Sequence, residues 1–173
     1  MNETSRFPDT NPTAQPDRNK VEKLLLEIQA QQSPVRGFIG GLIAAFIGAI
    51  LWAAVTAITH YQIGFIAMAV GILVGYGVRL MGKGLDTIFG VIGGGLALFG
   101  CALGNLLAVL VSAAIQEDVS VFTILPYITP DLIAEIYRET FTPMDLLFYG
   151  IAIYEGYRFS FRRLSGAEIA AVS

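Results

Sequence analysis

Cysteine and histidine each occur once in this chain of 173 residues, as Cys101 and His60. A single cysteine excludes a disulfide framework, a CxxC redox pair and a cysteine-built zinc site. The single histidine falls in a short turn, so no imidazole stands beside a serine nucleophile, and no HExxH stretch is present. No acidic cluster has the spacing that Mg²⁺-dependent phosphoryl transfer needs. "GKG" at 82–84 lacks the upstream glycine spacing and the following Ser/Thr of a phosphate-binding loop. These absences predict a protein that is not an enzyme and holds no metal and no cofactor. Charge is scarce as well: 14% of residues are charged, against about a quarter in soluble domains. The formal charge of -3 leaves no basic surplus for a nucleic-acid partner. No apolar run opens the chain either. "MNETSRFPDTNPTAQPDRNK" is polar and proline-rich, so residues 1–18 read as a disordered tail rather than a signal peptide.

What the chain does have is apolar length. Hydrophobic residues make up 54%, and glycine occupies 19 positions. That composition suits helices packed in lipid, where small residues let backbones approach closely. Residues 19–33 predict a short amphipathic helix, with Val21, Leu24, Leu25 and Ile28 on one side, for the membrane surface or a cytoplasmic partner. The run 37–59 carries no charge, and its length corresponds to roughly 35 Å of helix. A second run, 63–81, ends near Arg79, and "HYQ" joins the two into a tight hairpin. The third, 88–115, is longer than a span needs, and Gly93-Gly94-Gly95 marks a kink or break in it. Thr129 and Pro130 then open an interfacial helix at 130–140, with Leu132, Ile133, Ile136 and Tyr137 opposite Asp131, Glu135, Arg138 and Glu139. A fourth span covers 143–161, and 164–173 is a C-terminal tail. The expected fold is therefore an all-α membrane protein, a four-transmembrane-helix bundle over residues 36–163.

Basic residues set the expected orientation. With four spans, ten of the eleven lysines and arginines share one side with both termini and the 79–86 turn. The other side has Arg138 alone, among five acids between Glu117 and Glu139. A multi-pass protein of the cell membrane with both termini cytoplasmic follows. Two hairpins also invite comparison as parallel repeats. A shift of 53 residues lays "GGLIAAFIGA" on "GGGLALFGCA", and a shift of 79 pairs Gly71 with Gly150 and Arg79 with Arg158. Such a repeat would place a pseudo-two-fold along the membrane normal. Small residues recur every fourth position at Gly37 and Gly41, at Gly71 and Gly75, and at Gly100 and Gly104. These seams serve either packing within one bundle or assembly with a second copy, and the spacing leaves both open.

Within the fourth span, "GIAIYEGYRFSFRR" raises the main question, because Glu155 interrupts an apolar helix. A buried acid in lipid is costly and usually has a job. Glu155 lies about six residues, roughly 9 Å, inside the end of its helix, with Arg158 one turn on and Arg79 at similar depth from the second span. A structural ion pair or a proton or ion relay would each account for it. Asp145, three residues after Thr142, reads as a capping box. Asn105 reads as interhelical glue or a substrate contact, with Trp52 at the equivalent place in the repeat. Tyr76, Tyr149, Tyr154 and Tyr157 are candidates to ring a polar crevice near Glu155.

"YQIGFIAMAVGILVGYGVR" with its following "GKG" turn, together with "DLLFYGIAIYEGYRF", resembles a glycine-rich multi-span membrane domain of bacteria, one with no assigned activity. In that family the domain is sometimes found after short zinc-ribbon or GYF-like modules. The similarity spans roughly residues 36–160 and implies the membrane fold, while no functional residues come with it. The functional expectation is a non-enzymatic scaffold or partner-binding subunit assembling through Gly/Ala seams, with the 19–33 helix facing a cytoplasmic partner. An oligomeric ion or proton channel or small transporter, using Glu155 with Arg79 and Arg158, is the alternative.

Overall fold

The computed structural model describes residues 18–59 and 65–163, which contain helices and their connections and no strand. The expected terminal tails, apart from Arg18, and His60 lie outside the described residues. The chain divides into two compact units. Of the described residues, one unit holds α1 (Arg18–Gln31) up to Ala30, and the other is residues 31–162. On α1, Leu25 and Leu26 are exposed, at 45% and 59%.

The larger unit begins with α2 (Pro34–Thr59), where Pro34 opens the helix rather than merely stopping the one before. A proline at the first helical position forfeits no intrahelical bond, and the Ser33 hydroxyl accepts from the Arg36 N–H at 3.4 Å. α3 (Phe65–Gly82) and α4 (Thr87–Gln116) follow. The expected break at Gly93-Gly94-Gly95 is absent, since α4 runs for 30 residues without interruption. Gly93 and Gly94 instead receive α7, so their missing side chains serve docking. Next come a short α5 (Val121–Ile124), a 3-10 turn at Leu125–Tyr127, and α6 (Pro130–Thr140), capped by the Thr129 hydroxyl accepting from the Leu132 N–H at 3.2 Å. α7 (Pro143–Phe159) starts at a capping box: the Thr142 N–H donates to the Asp145 carboxylate at 2.8 Å, and the Asp145 N–H donates to the Thr142 hydroxyl at 3.4 Å.

Three helices, α2, α3 and α4, are long and apolar enough to cross a membrane. α7 has 17 residues and carries Asp145, Glu155 and Arg158. Packing in this unit inverts the pattern of a soluble protein. Ala45, Ala49, Val74, Val78, Ala97 and Ala152 are buried, while Phe38, Ile43, Phe46, Ile47, Ile50 and Leu51 of α2 face outward. In water such a surface would be a large exposed apolar patch. In lipid it costs nothing, and the small interior gives dispersion contacts between closely approaching helices.

α2 and α7 flank a central α3–α4 pair, each packing on both members, and make no comparable contact with one another. Ala45 meets Gly100 and Ala49 meets Gly104, so α2 and α4 advance in the same direction. Gly71 meets Ala152 and Gly75 meets Gly156, so α3 and α7 do too. Two antiparallel hairpins thus stack side by side. A two-fold relating them would give α2–α7 the packing of α3–α4. The contacts between the halves are therefore not arranged symmetrically, since α3–α4 pack and α2–α7 do not to a comparable degree.

One end of the bundle is tied by the α3–α4 turn. The Ser33 N–H donates to the Gly82 carbonyl at 3.0 Å, and the Arg162 N–H donates to the Gly84 carbonyl at 2.8 Å. Phe89, fully buried, fills the space between Gly37, Gly82 and Gly84. Lys83, at φ 52°, takes the left-handed position that ends α3, and its N–H donates to the Arg79 carbonyl at 3.0 Å.

Candidate functional site

α3 and α7 run parallel with their backbones nearly touching, because Gly71 lies against Ala152 and Gly75 against Gly156. The flanks beside that contact form a groove. On α7, Ala152 and Phe159 face α3, and Glu155 shares their side of the helix by its spacing of three and four residues. On α3, Tyr76 stacks on Phe159, with ring centroids 5.4 Å apart and planes 29° from parallel. The guanidinium of Arg79 lies 5.7 Å from the Tyr76 ring centroid, and that of Arg158 lies 5.8 Å from the Phe159 centroid. Two cations and two rings therefore form one cluster bridging α3 and α7 near the turn end. Toward the other end, Phe65 of α3 and Phe148 of α7 approach to 6.5 Å between centroids.

The three charged residues singled out by sequence thus share a groove, but not as a salt bridge. Among the described residues, Glu155 makes no ion pair with Arg79 or Arg158. Each guanidinium instead lies by an aromatic ring. Glu155 is partly buried and Arg158 is exposed. Phe159 was not among the candidates. The signal for it was present, since Arg158-Phe159 and Tyr76-x-x-Arg79 put a cation next to an aromatic in both helices. What could not be read was that α3 and α7 bring the two pairs to one level.

The tyrosines do not form a ring around Glu155. Tyr76 alone enters the groove, at 40% exposure. Tyr154 is 60% exposed and points away from the bundle. Tyr157 packs over Gly90 and meets Phe161 edge-on at 5.1 Å, on the α4 side of α7. Tyr149 is buried, with Phe141 at 5.9 Å and Asn105 of α4 beside its phenol. Asn105 is only 2% exposed, which places it between helices. Trp52, equally buried, packs over Gly104.

The seam glycines are all consumed inside the bundle. Gly37 meets Gly82 and Phe89; Gly41 meets Val78 and Leu96; Gly71 and Gly75 meet α7; Gly100 and Gly104 meet Ala45, Ala49 and Trp52 of α2. A cleft of about 260 Å³ opens at the far end of the α2–α4 interface, lined by Thr56, Ser112, Ile115 and Gln116. No group of three metal-ligating side chains occurs among the described residues. Comparison of the chain with protein families, with curated proteins and with solved structures finds no match. Chemically, then, the described residues offer a charged groove, a small polar cleft and tightly closed helix contacts.

Proposed function

We propose that this chain is a four-span integral protein of the cell membrane, with α7 as the fourth span and both termini cytoplasmic, that acts as a non-enzymatic scaffold or partner-binding subunit. The observation that carries this reading is the closure of the bundle. α2 meets α3 at Gly40 and Gly77, α3 meets α7 at Gly71 and Ala152, and α4 meets α7 at Gly93 and Gly156, backbone against backbone. Helices that close leave no path between them for an ion or solute. With the glycine seams occupied within the chain, partner binding shifts from those seams to α1, whose exposed Leu25 and Leu26 present an apolar face. The two stacked hairpins support an origin by duplication, as the matched glycines suggested.

Glu155 favours a second reading, because a carboxylate with no arginine partner inside a span is expected to work. In that reading the protein is an oligomeric channel or small transporter. Reconstitution into liposomes, with proton and alkali-cation flux compared for wild type and Glu155→Gln, separates the two. We expect no flux in either protein. Flux in wild type that vanishes in a folded, inserted Glu155→Gln variant would replace the scaffold reading with transport.

A further inference from the structure

We propose that the mouth of the α3–α7 groove is a binding site for the phosphodiester headgroup of an anionic phospholipid, held by Arg79 and Arg158. This rests on the reading that α3 and α7 both span the membrane. Arginine is the side chain best suited to phosphate, because its planar fork donates two parallel N–H bonds. Here each guanidinium lies beside one ring of the stacked Tyr76–Phe159 pair, which brings the two arginines to one level on α3 and α7. Neither guanidinium is spent on Glu155. Charge at this end of the unit points the same way: Arg36, Arg79, Lys83, Arg158 and Arg162 stand against Asp86 and Glu155, five cations to two acids. The opposite end carries acids and Arg138 alone.

The groove also says which source of phosphate fits. Below the two arginines its flanks continue through Ile72 and Ile151 to Phe65 and Phe148, an apolar track along the helices. Acyl chains can lie on that track while the headgroup stays at the water boundary beside the arginines. A free anion or an acidic peptide would leave the track unused. Glu155, one turn deeper than Arg158, marks the lower limit of the headgroup and disfavours a phosphate that sinks further.

The full chain is reconstituted in nanodiscs of equimolar phosphatidylglycerol and phosphatidylcholine, extracted mildly, and the retained lipids are measured by native mass spectrometry. Wild type should retain phosphatidylglycerol in preference by about tenfold, a ratio that falls at high salt. Arg79→Gln with Arg158→Gln should bring the ratio near one, whereas the charge-matched Arg36→Gln with Lys83→Gln should leave it intact. If the first pair fails to fold, Arg79→Lys with Arg158→Lys keeps the charge, loses the forks, and should reduce the preference by several fold. Equal retention of both lipids by wild type would overturn the site. So would an equal loss in both glutamine pairs, which would mean diffuse rim charge, or displacement of the lipid by millimolar inorganic phosphate, which would mean a soluble-anion site. Alkaline carbonate extraction of the same samples reports membrane insertion separately, so a failure of the spanning topology is distinguishable from a failure of lipid selectivity.

Discussion

Glycine means different things at different places in this chain, and the differences are visible atom by atom. In "GKG" the residue that takes the left-handed conformation is Lys83, at φ 52°, and neither glycine has positive φ. Gly84 is needed for space: a Cβ there would run into the Phe89 ring, and Phe89 is fully enclosed. Gly95, by contrast, has nothing within 4 Å of the place its Cβ would occupy. Gly84→Ala should therefore lower the thermal unfolding midpoint in detergent, by the equivalent of about 1–3 kcal/mol of overpacking. Gly95→Ala should leave it unchanged or raise it. Equal effects of the two substitutions would mean that Phe89 does not press on the turn. Sequence spacing cannot separate these two glycines, because what distinguishes them is a phenylalanine five residues further on that folds back across the turn.

At the scale of elements, α6 shows how much a pattern can foretell. Its bounds, its cap at Thr129 and its two faces were all readable, since each depends on neighbours three or four residues away. What holds it in place was not. The Tyr137 hydroxyl donates to the Ala102 carbonyl of α4 at 2.6 Å, a contact across 35 residues. Burial raises the Tyr137 phenol above its ordinary value of 10, so the folded state favours the protonated form. The sign follows directly. This contribution is fully present below the unfolded value and is lost as pH rises through the higher folded one. Tyr137→Phe should cost about 1 kcal/mol near neutral pH, where the hydrogen bond is intact. As pH rises past the ordinary phenol value of 10, the gap between wild type and variant should narrow, because the unfolded phenol ionises while the folded one stays protonated. A gap that stays constant with pH, in thermal melts followed by circular dichroism, would sever α6 docking from the phenol.

For the molecule as a whole, the basic residues and the hairpin arrangement make a prediction about sidedness. In a Cys101→Ala background, Lys83→Cys should resist a membrane-impermeant maleimide applied to intact cells, and Glu135→Cys should react. The reverse pattern would invert the topology and move the basic groove mouth to the outer face. α7, unlike α2, α3 and α4, is not long and apolar enough for composition alone to mark it as a span. Its closeness to α3 and α4 comes from Gly93, Gly71, Gly75 and Gly156, and not from hydropathy.

Composition and periodicity alone determined that the chain is helical, that α2, α3 and α4 can cross a membrane, and where caps begin α6 and α7. These are local matters, settled by apolar length, by spacing along one helix and by side chains that reach their own backbone. Only the tertiary structure decided which helix lies beside which. It used the glycine seams internally, set α2 and α7 on either side of the α3–α4 pair, and placed Arg79 and Arg158 beside an aromatic pair instead of Glu155. The physical reason is that closely spaced helices choose their neighbours by surface relief. Relief is set jointly by two sequences far apart in the chain, and neither one states it alone.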